Sequence, residues 1–191
     1  MKQKVCKFIS ILTVAPLVAL FLLTAIYLYD SSVFVNIKWY LFSIFFLTLV
    51  PISAYGIKNA IPSIKKQGRN GERKLAFIMC VVGYILGAVL SFVLNAPLGV
   101  KIIFLGYLIS GVLLAFINSV IKLKASGHAC GISGPCILSL FFFGLKSWYM
   151  PFLLIPVFWA RLNMGRHTVK ELVFGTLTGI VSTCIAIFIF I

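Results

Sequence analysis

The 191-residue chain is 62% hydrophobic and only 10% charged, against roughly 45–50% and 25% in soluble domains. A water-soluble fold has nowhere to bury so much apolar surface, whereas helices in lipid satisfy their own backbone hydrogen bonds. The formal charge of +14, from 17 Lys and Arg against Asp30, Glu72 and Glu171, is dispersed among short loops, which argues against nucleic acid and for anionic lipid headgroups.

Length and composition predict an all-α, polytopic transmembrane bundle forming one membrane domain over 1–191, of about seven helices with six as the alternative. Residues 1–100 supply the N-terminal helices and 101–191 the chemistry-bearing core. In chain order the apolar runs are Phe8–Tyr29, Trp39–Ile57, Leu75–Asn95, Ile102–Ile121, Cys130–Leu145, Trp148–Ala160 and Leu172–Ile191. The first follows Met1–Lys7, has no small-x-small site after it, and reads as an uncleaved membrane helix. The sixth is short for a bilayer. Asp30-Ser31-Ser32, the polar stretch Lys58–Lys74 with Gly68-Arg69-Asn70-Gly71, and Asn95-Ala96-Pro97 read as loops. Gly131 and Gly134 suit close helix packing. The five cysteines have no CxxC spacing and predict neither a disulfide framework nor a zinc site.

Fourteen basic residues fall on one set of alternate loops and three, Lys38, Lys101 and Lys146, on the other. The positive-inside rule then predicts a cytoplasmic amino terminus, an outside carboxyl terminus and a multi-pass protein of a cell membrane.

Two segments on the basic side carry chemistry: Lys122-Leu123-Lys124-Ala125-Ser126-Gly127-His128, and Arg161 to Glu171 with Arg166, His167 and Lys170. If the runs between them form a hairpin, both emerge on one face. Guanidinium, ammonium and the amides of a Ser-Gly turn suit a phosphoryl group. His167 and Glu171 are four apart and share a helical face, so the carboxylate orients one imidazole nitrogen and leaves the other as a nucleophile. His128 can donate a proton to the leaving oxygen.

Ser126-Gly127-His128, followed after 32 residues by Arg161-x5-His167-x3-Glu171, resembles the second and third signature motifs of the type-2 phosphatidic acid phosphatase and haloperoxidase superfamily. Lys124-x-Ser126-x-His128 after a membrane helix, with the basic Arg69–Arg73 stretch upstream, is similar to a small bacterial seven-helix branch of it. The resemblance implies a helical core and cleavage of lipid phosphate esters through a phosphohistidine, with no cofactor and no metal. It implies His167 as nucleophile, Glu171 as its orienting carboxylate and His128 as general acid. Lys124, Ser126, Gly127 and Arg161 would bind phosphate, with Lys122 and Lys124 standing in for an absent Lys-x6-Arg-Pro motif. Ala125, Ala160 and Glu171 replace the family's proline, serine and aspartate. On the charge count the site is cytoplasmic. The rival reading is a non-enzymatic transporter or assembly subunit of the same fold.

Overall fold

A computed structural model describes residues 1–191, apart from the side chains of Asn59 and Arg69. Arg69, the first residue of the basic Arg69–Arg73 stretch, therefore lies outside the described residues as a side chain. The described residues form helices and no strand.

The principal helices are α1 (Lys2–Leu12), α2 (Ala15–Tyr29), α3 (Ile37–Ile57), α4 (Gly68–Val93), α5 (Leu98–Ser119), α6 (Gly127–Phe143), α7 (Met150–Asn163) and α8 (Val169–Phe188). Five of them, α3 to α6 and α8, are long and apolar enough to cross a membrane, and α1 with α2 makes a sixth if the bent pair is one span. The expected count of seven is not reproduced. The 14 residues of α7 rise about 21 Å at 1.5 Å each, short of a hydrocarbon core of about 30 Å.

Local chemistry accounts for the breaks. The first predicted span divides at Thr13-Val14, where Val14 is extended (φ −68°, ψ 140°) and Pro16 opens α2; α1 and α2 meet at 57°. Proline's fixed φ suits the first turn of a helix, so a new helix starts there. In α3 a π-helical turn over Phe45–Leu49 precedes Pro51, widening the helix where the proline removes an amide donor.

Lys58–Lys74, expected as a loop, is instead largely helical, and α4 begins at Gly68. Gly68 holds φ +55°, a left-handed value glycine adopts freely.

Basic residues from the two sets stand at opposite ends of the bundle. Lys146 donates to the Tyr29 hydroxyl at 3.1 Å, and Lys101 stands 5.6 Å from the Phe92 ring centroid. Those contacts gather the ends of α2, α4 and α6 with the start of α5. At the other end Lys7, Arg73, Lys74 and Arg161 line two adjoining cavities. An aromatic core of Phe34, Tyr40, Phe42 and Phe104 packs edge to face and fills the interior away from those cavities.

Small residues seam α6 to α8. A Cβ on Gly179 would lie 2.6 Å from the Cys130 carbonyl oxygen and 2.9 Å from the Gly134 nitrogen. On Gly175 it would lie 2.9 Å from the Ser126 nitrogen. Ser133 Oγ donates to the Thr176 carbonyl at 2.9 Å, a bond across the seam of the kind that ties membrane helices. Gly131, as expected, allows a close approach: a Cβ on it would lie 3.0 Å from Ala15 Cβ of α2.

Because the obstructing atoms are backbone, Gly175→Ala has no flexible group to displace. Its melting temperature in detergent is expected to fall, by an overpacking cost of about 1–3 kcal/mol; an unchanged midpoint would show that the seam yields.

Candidate active site

The site begins with the start of α8. Thr168 is its N-cap: the Thr168 hydroxyl accepts from the Glu171 amide at 3.3 Å, while Glu171 Oε2 accepts from the Thr168 amide at 3.2 Å. This is a capping box, worth about 0.5–2 kcal/mol against alanine at the cap. The same Oε2 accepts from His167 Nδ1 at 2.8 Å. One carboxylate oxygen thus starts the helix and orients the ring, and the longer reach of Glu over Asp is what a capping box requires at that position.

The Nδ1 bond leaves Nε2 as the ring's lone-pair nitrogen. His167 is 8% exposed and lines the inner cavity. Burial, reinforced by the Arg161 and Arg73 guanidiniums, holds its pKa below the ordinary 6.5, although the bond to Glu171 pulls the other way. At neutral pH the imidazole is therefore uncharged.

Arg161 arrives from the end of α7. It is 5% exposed, its Nε has no partner, and it makes no ion pair among the described residues. The one ion pair between permanently charged side chains among the described residues is Lys58–Glu72 at 3.1 Å. Ala160 beside it is fully buried, so no hydroxyl is offered there.

His128 occupies the first turn of α6 and lines both cavities with Arg161 and Arg73. The short helix α7 thus returns the chain to the end where α6 begins, which is the hairpin the sequence required. His128 Nε2–H donates to the Ser10 carbonyl at 3.1 Å; a carbonyl only accepts, so the proton is on Nε2. That carbonyl comes from α1, which packs against α7 through Ser10 Oγ and Met164 Sδ at 3.4 Å.

The other expected residues divide. Gly127 lines the inner cavity. Ser126 does not offer a free turn amide: its N–H donates to the Glu171 carbonyl at 2.9 Å, and its buried hydroxyl caps α6 by accepting from the Ala129 amide at 3.4 Å. The structural demand of starting α6 against α8 uses both groups. Lys122 and Lys124 are exposed, in left-handed backbone (φ +60° and +56°), and line neither cavity.

In their place stands Arg73, on the second turn of α4, lining both cavities. The sequence alone places it in the Lys58–Lys74 loop. The missed signal is the unbroken stretch from Glu72-Arg73-Lys74 into Leu75-Ala76-Phe77, whose lack of a breaker extends the helix through the charges. Ser10 carries no side-chain signal, since its carbonyl is what bonds.

Among the described residues no three His, Cys, Asp or Glu side chains converge as a metal site. Comparison with family models, with curated proteins and with solved structures gave no match for this chain.

Two histidines make the electrostatics testable. In NMR titrations, with His128→Gln used for assignment, the His167 ring is expected to titrate below 6.5. Glu171→Gln removes the carboxylate charge that favours imidazolium and should lower that midpoint further; an upward move would show that Glu171 is not its partner. Thr168→Ala should lower stability by about 0.5–2 kcal/mol, read as a reduced melting temperature.

Proposed function

We propose that the protein is a membrane hydrolase that cleaves a lipid phosphate ester through a phosphohistidine, as the resemblance to the type-2 phosphatidic acid phosphatase superfamily implies. The observation that carries this reading is the buried, unpaired Arg161 beside a neutral, carboxylate-oriented His167. A guanidinium withdrawn from water without a counter-ion is strongly unfavourable, and a tetrahedral oxyanion offers the charge and the fork geometry to relieve it.

In the proposed reaction Arg161 and Arg73 hold the phosphoryl oxygens while His167 Nε2 attacks phosphorus. The N–P bond forms as the P–O bond to the lipid breaks, and Glu171 stabilises the imidazolium that results. His128 supplies the proton to the leaving oxygen. With Nε2–H held by Ser10, His128 donates from Nδ1, protonated once the phosphate's negative charge stands beside it in the cavity. It then takes a proton from the water that hydrolyses the phosphohistidine, restoring both rings. Lys122 and Lys124 have no contact role in this scheme.

The orientation proposed keeps the cation-rich end cytoplasmic, in a bacterial cell membrane, because fourteen basic residues belong to that end and three to the other. Membrane lipids and a lipid phosphate are the partners.

A non-enzymatic transporter or assembly subunit of the same fold is favoured by the buried Ala160 and by the occupied Ser126 amide. Phosphate release from lipid phosphates by detergent-solubilised protein, with a chelator present, separates the two. Release is expected from the wild type, with a fall of at least about a thousandfold in His167→Ala. Arg161→Met should also lose release, yet its ligand-free melting temperature should stay level or rise, since an uncompensated buried charge is removed. Silence of the wild type across the panel, or full activity in His167→Ala, would overturn the reading.

A further inference from the structure

The inner cavity, of about 430 Å³, does not end at the cations. It continues into the bundle between α2, α4, α5, α6 and α8, along Leu138, Gly106 and Gly134. At its side stands Tyr107 of α5, 6% exposed, whose hydroxyl has no partner among the described residues. An unpaired buried hydroxyl costs about 1–3 kcal/mol. It lies where a hydrocarbon chain would pass, and a hydroxyl can donate there to an acceptor oxygen.

Depth identifies the acceptor. Ser110 is three residues along α5 from Tyr107, Cys130 stands beside Ser110, and His128 is two residues from Cys130 on α6. At 1.5 Å rise per residue, the Tyr107 Cα lies about 7–8 Å below the level of the His128 Cα, and its side chain leans toward the α5 amino terminus, deeper into the bundle. That depth fits the reach, over a few bonds of about 1.5 Å, from a phosphate to an acyl ester carbonyl on the same glycerol backbone.

We propose that this chamber seats an acyl chain of the lipid phosphate and that the Tyr107 hydroxyl donates to its ester carbonyl, so that acylated phosphates are selected over ether-linked or isoprenoid ones. The proposal rests on the reading of the site as a lipid phosphatase and names its substrate class. Gly106 lines the chamber: a Cβ there would meet Ala186 and Thr183 of α8 at 3.7 and 3.8 Å, ordinary contacts that admit a methyl, and a larger side chain would occupy chamber volume.

The test measures binding by calorimetry to His167→Ala protein in detergent, which the scheme leaves without turnover. The probes are a 1-acyl-glycerol 3-phosphate and the 1-alkyl ether of equal chain length. The ester is expected to bind about three- to tenfold tighter, the worth of one hydrogen bond. Adding Tyr107→Phe should bring the ester-to-ether ratio to about one. Adding Gly106→Leu should weaken both by tenfold or more. Equal affinity for ester and ether, as when a water serves the hydroxyl, overturns the proposal; so does a preference that survives Tyr107→Phe, or a Gly106→Leu protein that binds both unchanged. Phosphate release by the wild type, from p-nitrophenyl phosphate and from the ester, is measured in parallel. Release with no ester preference sinks the chamber and leaves the phosphatase. An ester preference with no release sinks the phosphatase and leaves the chamber. Binding of neither lipid sinks the chamber whatever the release.

Discussion

A guanidinium buried in a helical bundle without an acid beside it is the constraint from which the rest of the site follows. Arg161 is 5% exposed and unpaired among the described residues, and Arg73 adds a second cation to the same cavity. Desolvation of such a group costs several kcal/mol unless something anionic answers it. The nearby carboxylate does not: Glu171 is engaged by His167 and by the Thr168 amide. Burial, reinforced by the positive field that remains, keeps His167 neutral, which is the state a nitrogen nucleophile needs. Attraction for an anion and activation of the imidazole thus share one withdrawn, cation-lined cavity.

Folding and chemistry are joined at the start of α8. Glu171 closes the capping box, orients His167 and, through its carbonyl, receives the Ser126 amide that begins α6. Gly175 lets the Ser126 backbone approach one turn later. The two motif segments are therefore fixed to each other by backbone contacts beneath the cavity, so the rings of His128 and His167 depend on helix packing more than on loop conformation. Such support from rigid elements is what a preorganised site needs.

Much of this was legible in the amino-acid order. Apolar runs near span length marked α3 to α6 and α8, and the four-residue spacing of His167 and Glu171 forecast their bond, because both signals are periodic and local. The breaks were less legible. Pro16 divides the first run because the residues before it leave the helix, and α7 is shorter than its role suggests; each depends on neighbours the pattern does not reveal. Charge misled twice. Lys122 and Lys124 lie next to the motif in sequence but are exposed and line neither cavity, whereas Arg73, some fifty residues before His128, is carried to the cavity by a helix read as a loop. Ser126 was expected to offer its amide to a ligand, but helix docking used it first.

Central to the account is that the Arg161 cavity is built to hold a tetrahedral oxyanion, and a thermal titration of the unmodified protein in detergent tests this most directly. Inorganic phosphate, compared with chloride at matched ionic strength, is expected to raise the melting temperature along a saturable single-site curve, reaching about 2.7 kcal/mol of stabilisation at a hundred times its dissociation constant. A phosphate response no different from that of chloride would contradict the account.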